Sequence, residues 1–278
     1  MGKALFFDPT LSASGKISCA SCHQPELSFS DSQRFSSGHS RLKLKRNTPP
    51  LFNLAWSANF FWDGGVKNLE SLSFTALTNS DEMGSDLTLL CSNLNRDKDY
   101  KKAFKKAFYI DSISSAYVSR ALAQYMRTLI SANAKYDSVQ QGLAKFSKIE
   151  IQGKKIFEQN CASCHTPPLF TDNRFHHNGI EQAYSVENLF LSTGRFRITR
   201  DSVDLGKYKT PSLRNLKYTA PYMHDGRFAS LSKVLDHYQN LDPLNQNQDS
   251  LVGKVKFSDS EKIALEAFVK TLEGEIVK

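Results

Sequence analysis

The chain has 278 residues, a formal net charge of +8 and five cysteines, and 40% of its residues are hydrophobic. This length fits one large or two ordinary domains, and the apolar fraction is sufficient for packed cores. No run of about 18 apolar residues occurs, so we predict no membrane span. The positive charge is not clustered into one basic run. It could steer an acidic partner, but it gives no argument for binding nucleic acid.

The most informative feature is the pentapeptide Cys-Ala-Ser-Cys-His, which occurs twice. The pattern C-x-x-C-H is typical of covalent attachment of haem c. Two thiols near one face of a helical turn can bond both vinyl groups of one porphyrin, and the adjacent histidine then becomes an iron ligand. We therefore predict two covalently bound haem c groups. The attachment residues are Cys19, Cys22 and His23 in the first motif and Cys161, Cys164 and His165 in the second.

Zinc binding and thiol redox chemistry are the alternative interpretations of the C-x-x-C pairs. Two such pairs could supply four thiolates to a zinc ion, and one pair can form a thioredoxin-like redox site. Neither alternative explains the histidine that follows the second cysteine in both copies, and no βαβ pattern accompanies either copy. We interpret the fifth cysteine, Cys91, as a small buried apolar residue.

The two halves of the chain resemble each other beyond these motifs. The motif histidines are 142 residues apart, and residues 121–129 match residues 264–272 at an offset of 143. We therefore predict an all-α protein with two cytochrome-c-like domains, at residues 1–147 and 148–278. Each domain would carry one covalently bound c-type haem and long loops that wrap it.

Three segments show helical spacing of apolar residues. Residues 118–130 place their apolar side chains on one helical face, and residues 149–157 predict a helix that runs into the second motif. Ser258 and Glu261 form a capping box, which predicts the start of a helix there.

The haem motifs also bear on localisation. The usual bacterial machinery attaches haem c outside the cytoplasm, so we expect a periplasmic protein. The chain opens directly in sequence typical of a folded domain. We therefore expect that an export signal was removed.

Several motifs, in the same order, resemble those of the bacterial di-haem cytochrome c peroxidases and their methylamine-utilisation relatives of the MauG type. The resemblance extends from Gly2 to Leu272, which is nearly the whole chain. The motifs besides the two haem sites are Gly-Lys-Ala-Leu-Phe-Phe-Asp-Pro at 2–9, Arg-Asn-Thr-Pro at 46–49, Phe-Trp-Asp-Gly at 61–64, Glu-Met at 82–83 and Ala-Pro-Tyr-Met-His-Asp-Gly-Arg at 220–227.

This resemblance implies roles for residues near the first haem, where peroxide reacts in the family. Glu82 corresponds to the distal carboxylate that serves as acid and base. His39, sixteen residues after His23, matches a histidine that can cap the iron in the resting state and swing away on activation. Trp62 corresponds to the tryptophan between the haems. A neighbouring distal glutamine of the family is replaced by Leu72.

The resemblance also implies a sixth ligand for the second haem iron. Tyr238, fourteen residues after His224, stands where the peroxidases place a methionine and MauG-type relatives a tyrosine. A phenolate ligand should give this haem a lower potential than a methionine would. Met223 and His237 are rival ligands. We expect His224 to contact a haem propionate or the domain interface.

A calcium site is a further implication of the resemblance. It would consist of Asn47 and the carbonyl groups of Thr219 and Pro221, because calcium prefers oxygen ligands, including amide and backbone carbonyls. Three arginines are candidates either for pairing with haem propionates or for solvated surface positions: Arg195, Arg197 and Arg214.

Two functions are consistent with these motifs. We predict a periplasmic peroxidase that reduces hydrogen peroxide to water, with electrons delivered through the second haem by a small cytochrome c or cupredoxin. The alternative is a MauG-like oxidase that uses peroxide to oxidise residues of a partner protein. His39 favours the peroxidase, whereas Tyr238 favours the oxidase. Pure electron carriage would leave Glu82 and His39 without a purpose. The relatives also make a homodimer possible.

Overall fold

The computed structural model describes residues 1–180, 192–241 and 247–277. These residues are mostly helical with one two-stranded antiparallel sheet, which confirms the predicted all-α class. None of the described helices has the length and apolar character needed to cross a membrane. The elements are α1 (Gly2–Phe7), α2 (Cys19–Cys22), α3 (Leu69–Thr78), α4 (Leu87–Arg96), α5 (Lys98–Phe108), α6 (Ser115–Arg127), α7 (Lys135–Gln140), α8 (Lys148–Asn160), β1 (Phe175–His176), α9 (Phe196–Thr199), β2 (Tyr208–Lys209), α10 (Leu231–Gln239) and α11 (Asp259–Lys270).

The three helices predicted from apolar spacing are confirmed as α6, α8 and α11. Helix α11 begins with the predicted capping box, in which Ser258 and Glu261 bond reciprocally to each other's backbone N–H groups. Helices α3, α4 and α5 were not predicted. Their N-cap residues are Asn68, Asp86 and Asp97, whose side chains accept hydrogen bonds from backbone N–H groups of the first turn.

Two pairs of helices cross through the same kind of contact. A Cβ atom at Gly2 of α1 would lie 2.0 Å from the carbonyl oxygen of Ala121 in α6. A Cβ atom at Gly153 of α8 would lie 1.9 Å from the carbonyl oxygen of Ala264 in α11. Ala121 and Ala264 are separated by the offset found in the sequence repeat. Each half therefore packs an early helix against a later helix at a glycine.

We expect the Gly153→Ala variant to lower the free energy of unfolding by about 1–3 kcal/mol, as overpacked sites do. The added methyl group would meet backbone of Ala264, so α8 and α11 would have to move apart. In an open helix the same substitution would stabilise by up to about 1 kcal/mol. Urea unfolding of the holoprotein measures the change. An unchanged or higher midpoint would contradict the close crossing.

The buried apolar residues form two clusters. The first contains residues between Leu5 and Leu129, with Ile276 packed against it. The second contains residues between Tyr136 and Leu272. Each haem motif contributes apolar atoms to one cluster, so each attachment site has a core of its own. The predicted division into two domains at residue 148 stays a prediction.

Candidate active site

A cavity of about 440 Å³ lies beside the first haem motif. Its volume falls in the roughly 300–1,000 Å³ range of cofactor and ligand sites. The wall includes residues of both halves, since Thr171 and Lys209 contribute to it. The predicted site residues that line the cavity are Cys19, Cys22, His23, Asn47, Trp62 and Glu82.

The two motif histidines have the same hydrogen-bond arrangement. Nδ1 of His23 lies 2.8 Å from the carbonyl oxygen of Phe29. Nδ1 of His165 lies 3.2 Å from the carbonyl oxygen of Phe170 and 3.1 Å from that of Pro211. A carbonyl can only accept, so Nδ1 is the donor and Nε2 keeps its lone pair for a metal. Burial lowers the pKa of both imidazoles, which keeps them in the neutral form that binds iron.

Three of the four motif thiols have raised pKa values and are protonated. Burial raises the pKa of Cys19 to about 12, that of Cys22 to about 11 and that of Cys161 to about 12. A redox-active thiol requires thiolate character. Across the described ranges, no three His, Cys, Asp or Glu side chains form a cluster that could hold a metal ion. The two motifs therefore do not converge on a shared zinc site, and haem attachment is the better interpretation.

Glu82 lies in the cavity wall with an unusual proton affinity. Burial raises the pKa of its carboxyl group to about 7. Nδ2 of Asn79 donates a hydrogen bond to Oε1 of Glu82 over 2.9 Å, and this bond opposes the effect of burial. Leu72 also lines the cavity. Asn79 was not predicted as a site residue from the sequence. It precedes Glu82 by three residues, and this spacing permits such a contact.

His39 does not belong to the cavity wall, in contrast to Glu82. Its backbone N–H donates to the carbonyl oxygen of Glu82 over 2.7 Å. Its Nε2 lies 3.0 Å from the carbonyl oxygen of Ser80, and its ring packs against Gly84. The ring therefore rests on the loop that carries Glu82, and the role of His39 as a cap of the iron stays a prediction.

Trp62 lies where the two halves meet. Its indole Nε1 donates to the carbonyl oxygen of Asn47 over 2.8 Å, and its own carbonyl accepts from the backbone N–H of Lys209 over 2.8 Å. The backbone N–H of Asn47 donates in turn to the carbonyl oxygen of His224 over 2.8 Å. The buried ring of His224 stacks on Tyr208 with centroids 3.6 Å apart. His224 thus bonds through its backbone to Asn47 of the first half, and its role as a propionate or interface partner stays a prediction.

A buried ion cluster adjoins Trp62. Asp63 is completely buried, and its Oδ2 accepts from Arg46 over 2.7 Å and from Arg197 over 2.6 Å. Arg195 donates to the carbonyl oxygen of Asp63 over 3.0 Å. Charge-assisted bonds of this kind are stronger than neutral ones. Arg195 and Arg197 therefore join the second half of the chain to the Phe-Trp-Asp-Gly segment of the first.

The second haem motif has Tyr238 beside it. Burial raises the pKa of the Tyr238 hydroxyl to about 12, and charge on the thiols of Cys161 and Cys164 would raise it further. Tyr238 is therefore within electrostatic range of both thiols, and its role as an iron ligand stays a prediction. Arg214 is buried and makes a bidentate pair with Asp137, with distances of 2.8 and 2.7 Å. It is therefore not the solvated surface residue considered above.

The environment of Lys209 bears on whether a haem fits the first cavity. Its side chain is half-buried in the cavity wall, and its Nζ donates to the carbonyl oxygen of Asn59 over 3.1 Å. Burial lowers the pKa of the ammonium group to about 8. No carboxylate among the described residues forms an ion pair with it. A half-buried cation of this kind fits a cofactor that brings its own carboxylates, as the propionates of haem do.

Of the predicted calcium ligands, Asn47 has the most fully defined contacts. Asn47 is buried, and its Nδ2 donates to the carbonyl oxygens of Gln33 and Arg34 over 3.0 and 3.4 Å. This leaves Oδ1 as the atom for a cation. Thr219 and Pro221 belong to the segment that precedes His224. The calcium site stays a prediction.

Comparison with known proteins assigns the family. The sequence model of the di-haem cytochrome c peroxidases matches residues 1–145. The chain belongs to this family. Over 283 residues it is 38% identical to methylamine utilization protein MauG of Methylorubrum extorquens, covering 99% of this chain and 78% of the relative. It is 33% identical to cytochrome-c peroxidase IdrP2 of Denitromonas iodatirespirans, covering 99% of this chain and 81% of that protein.

A solved structure supports the same assignment. The crystal structure of a MauG-like protein associated with microbial copper homeostasis superimposes with a TM-score of 0.90 at 31% identity, covering 99% of this chain and 88% of that one. The predicted family resemblance is thereby confirmed. Membership of a di-haem family implies haem cofactors and oxidoreductase activity toward peroxide. Relatives named as peroxidases and relatives named MauG both occur, so both functional interpretations are consistent with the comparisons.

Proposed function

We propose that this protein is a periplasmic di-haem peroxidase that reduces hydrogen peroxide to water at the first haem. The observation that carries the proposal is Glu82, a carboxyl group with a pKa of about 7 in the wall of the cavity beside the first haem motif. Electrons would come from a small cytochrome c or cupredoxin through the second haem. Each turnover takes one peroxide, two electrons and two protons to two waters.

Bound haem supplies the iron at which the O–O bond of peroxide breaks. Glu82 accepts the proton of the inner peroxide oxygen and delivers it to the outer oxygen, which then leaves as water. A pKa near neutrality suits this task because the carboxyl group must both gain and lose a proton in each turnover. The amide of Asn79 orients the carboxylate. Leu72 and Met83 contribute apolar surface to the same cavity.

Trp62 is proposed to carry electrons between the two haem groups. Its indole is held by Asn47 and its carbonyl by Lys209, so one residue from each half fixes its position. Lys209 would neutralise a propionate of the first haem. The calcium ion is proposed to bind Asn47 Oδ1 with the carbonyl groups of Thr219 and Pro221, close to this junction.

Tyr238 favours a second candidate function, that of a MauG-like oxidase. A tyrosine ligand at the second haem stabilises oxidised iron. The oxidising equivalents of peroxide would then be drawn from residues of a partner protein rather than from a small electron donor. A homodimer is compatible with both functions.

Adding peroxide to the fully oxidised holoprotein distinguishes the two functions. A requirement for prior reduction of the second haem, followed by consumption of reduced cytochrome c, supports the peroxidase. A near-infrared charge-resonance band that forms without prior reduction supports the oxidase and would overturn the main proposal.

We expect the Tyr238→Phe variant to lose any phenolate signature from the optical and electron-spin-resonance spectra of the second haem, because phenylalanine offers no ligand atom. The first haem should be unaffected. Tyr109→Phe is the matched control, since Tyr109 is 92% exposed. A second-haem spectrum that is the same in parent and Tyr238→Phe would remove Tyr238 as a ligand.

A further inference from the structure

The segments that follow α6 and α11 are held by equivalent asparagines. The backbone N–H of Asn53 donates to the carbonyl oxygen of Leu129 over 2.8 Å, and that of Asn215 donates to the carbonyl oxygen of Leu272 over 3.3 Å. Leu129 and Leu272 are separated by the repeat offset of 143. Both asparagines have a left-handed backbone, with φ of 55° and 60°, a conformation that asparagine adopts more readily than most residues. The two halves therefore share one arrangement at this place.

The side chains of the two asparagines differ in one hydrogen bond. Oδ1 of Asn53 accepts from the backbone N–H of Ser131 over 2.9 Å, and Oδ1 of Asn215 accepts from that of Gly274 over 2.8 Å. Ser131 and Gly274 are again 143 residues apart. Nδ2 of Asn53 donates to the carbonyl oxygen of Ser131 over 2.9 Å, whereas Nδ2 of Asn215 donates to the side-chain Oγ of Ser131 over 3.3 Å. One bond of the repeat is thus directed from the second half to the first.

Ser131 is therefore the residue at which the two arrangements meet. Ser131 is 1% exposed and Asn215 is completely buried. An amide donor that loses its acceptor at such a site is not solvated, and this costs the desolvation of the group. Asn53 also lines the cavity beside the first haem motif. The hydrogen bonds of Ser131 thus connect the wall of that cavity to the second half of the chain.

The chain around Ser131 also packs closely against the C-terminal segment. Ile130 and Val277 form an antiparallel bridge, with N–H groups that donate to each other's carbonyl oxygens over 3.2 and 2.9 Å. A Cβ atom at Gly274 would lie 2.6 Å from Oδ1 of Asn133 and 2.9 Å from the backbone nitrogen of Ala134. Glycine permits this close approach of two segments. The bond between Asn215 and Ser131 therefore lies inside a tight contact of the two halves.

We propose that the hydroxyl of Ser131 and the amide of Asn215 form a polar latch that fixes the orientation of the two halves, and with it the separation of their haem groups. The inference rests on the proposed function, because it requires one haem on each half and electron transfer between them. Such transfer slows steeply as the separation grows. Ser131 and Asn215 are thus positioning residues for the reaction.

The test uses the holoprotein carrying Ser131→Ala, which removes the hydroxyl and leaves both backbone bonds to Asn53. An unpaired buried amide donor should raise the population in which the two segments separate by about 5- to 150-fold. Hydrogen exchange of peptides covering residues 129–134 and 272–277, measured by mass spectrometry, should quicken by that factor. Pulsed spin-resonance measurement of the dipolar coupling between the two ferric haems should give a broader distribution of haem separations. The midpoint potential of each haem should be unchanged.

Ser119→Ala is the matched control. Ser119 is 5% exposed, but its hydroxyl donates to the carbonyl oxygen of Ala116 within α6 over 3.1 Å. This variant should match the parent in the exchange of both segments and in the dipolar distribution. Equal exchange in Ser131→Ala and Ser119→Ala, or an unbroadened dipolar distribution in Ser131→Ala, would overturn the latch.

Asn215→Ala gives a second measurement through a double-mutant cycle with Ser131→Ala. Each single variant should quicken exchange, and the double variant should add little to Asn215→Ala because the same bond is already lost. The bond from Gly274 is lost in both variants that carry Asn215→Ala, so its effect cancels. Independent effects of the two substitutions would overturn the proposal. A holoprotein with fewer than two haem groups would reject the proposed function, and the exchange comparison would still decide whether the two residues form a latch.

Discussion

The Glu82→Gln variant should react with peroxide about 10²–10⁴ times more slowly than the parent, which is the usual contribution of a positioned acid–base group. Glutamine retains the shape of the side chain and can still contact Asn79, but it cannot exchange a proton. Haem content and the resting spectra should be unchanged. Stopped-flow mixing with peroxide measures the rate constant. A variant as fast as the parent would remove Glu82 from the mechanism.

The parent rate should also depend on pH in a defined direction. Burial raises the pKa of Glu82 to about 7, so the carboxylate that first accepts the proton is lost as the pH falls below that value. The rate should therefore rise through about pH 7, and Glu82→Gln should lack this inflection. Asp81→Asn is the matched control because Asp81 is the exposed neighbour of Glu82. The control should keep the rate at high pH and an inflection displaced to lower pH, because charge on Asp81 contributes to raising the pKa of Glu82.

The Asp63→Ala variant should show the largest loss of stability, about 3–5 kcal/mol, as expected when one partner of a buried ion pair is removed. The carboxylate is completely buried and accepts from Arg46 and Arg197. Its removal would deprive two guanidinium groups from different halves of their common counter-ion. We expect a lower midpoint of chemical unfolding in the holoprotein.

Asp111→Ala is the control for this effect. Asp111 also pairs with a basic residue, Lys105, but its side chain is 85% exposed, and exposed ion pairs contribute little. Its unfolding midpoint should stay close to that of the parent. Equal midpoints for Asp63→Ala and Asp111→Ala would show that the cluster beside Trp62 does not hold the two halves together.

The features that could be predicted from the sequence are those that have a local sequence pattern. The haem motifs, the capping box at Ser258 and the apolar spacing of α6, α8 and α11 all involve residues a few positions apart. The repeat offset of 143 is likewise visible in the sequence, and the glycine crossings at Gly2 and Gly153 reproduce it in the structure. Local physical rules are sufficient for these features.

The features that were missed depend on distant contacts. Asp63 and Arg197 are 134 residues apart, and the carbonyl oxygen of Asn178 meets His237 at a separation of 59 residues. No local pattern marks either pair. Lys209 was not singled out because a single lysine is ordinarily exposed. His39 was assigned through spacing alone, which did not reveal that its ring rests on the loop that carries Glu82.

The central claim is that two porphyrins are bonded to this polypeptide through thioethers at the two Cys-Ala-Ser-Cys-His motifs. Intact-protein mass spectrometry, on material matured in a host that attaches haem c, tests it most directly. The claim predicts a mass equal to the polypeptide plus two haem groups, and plus one haem when the cysteines of either motif are replaced by alanine. A mass equal to that of the bare polypeptide would contradict it.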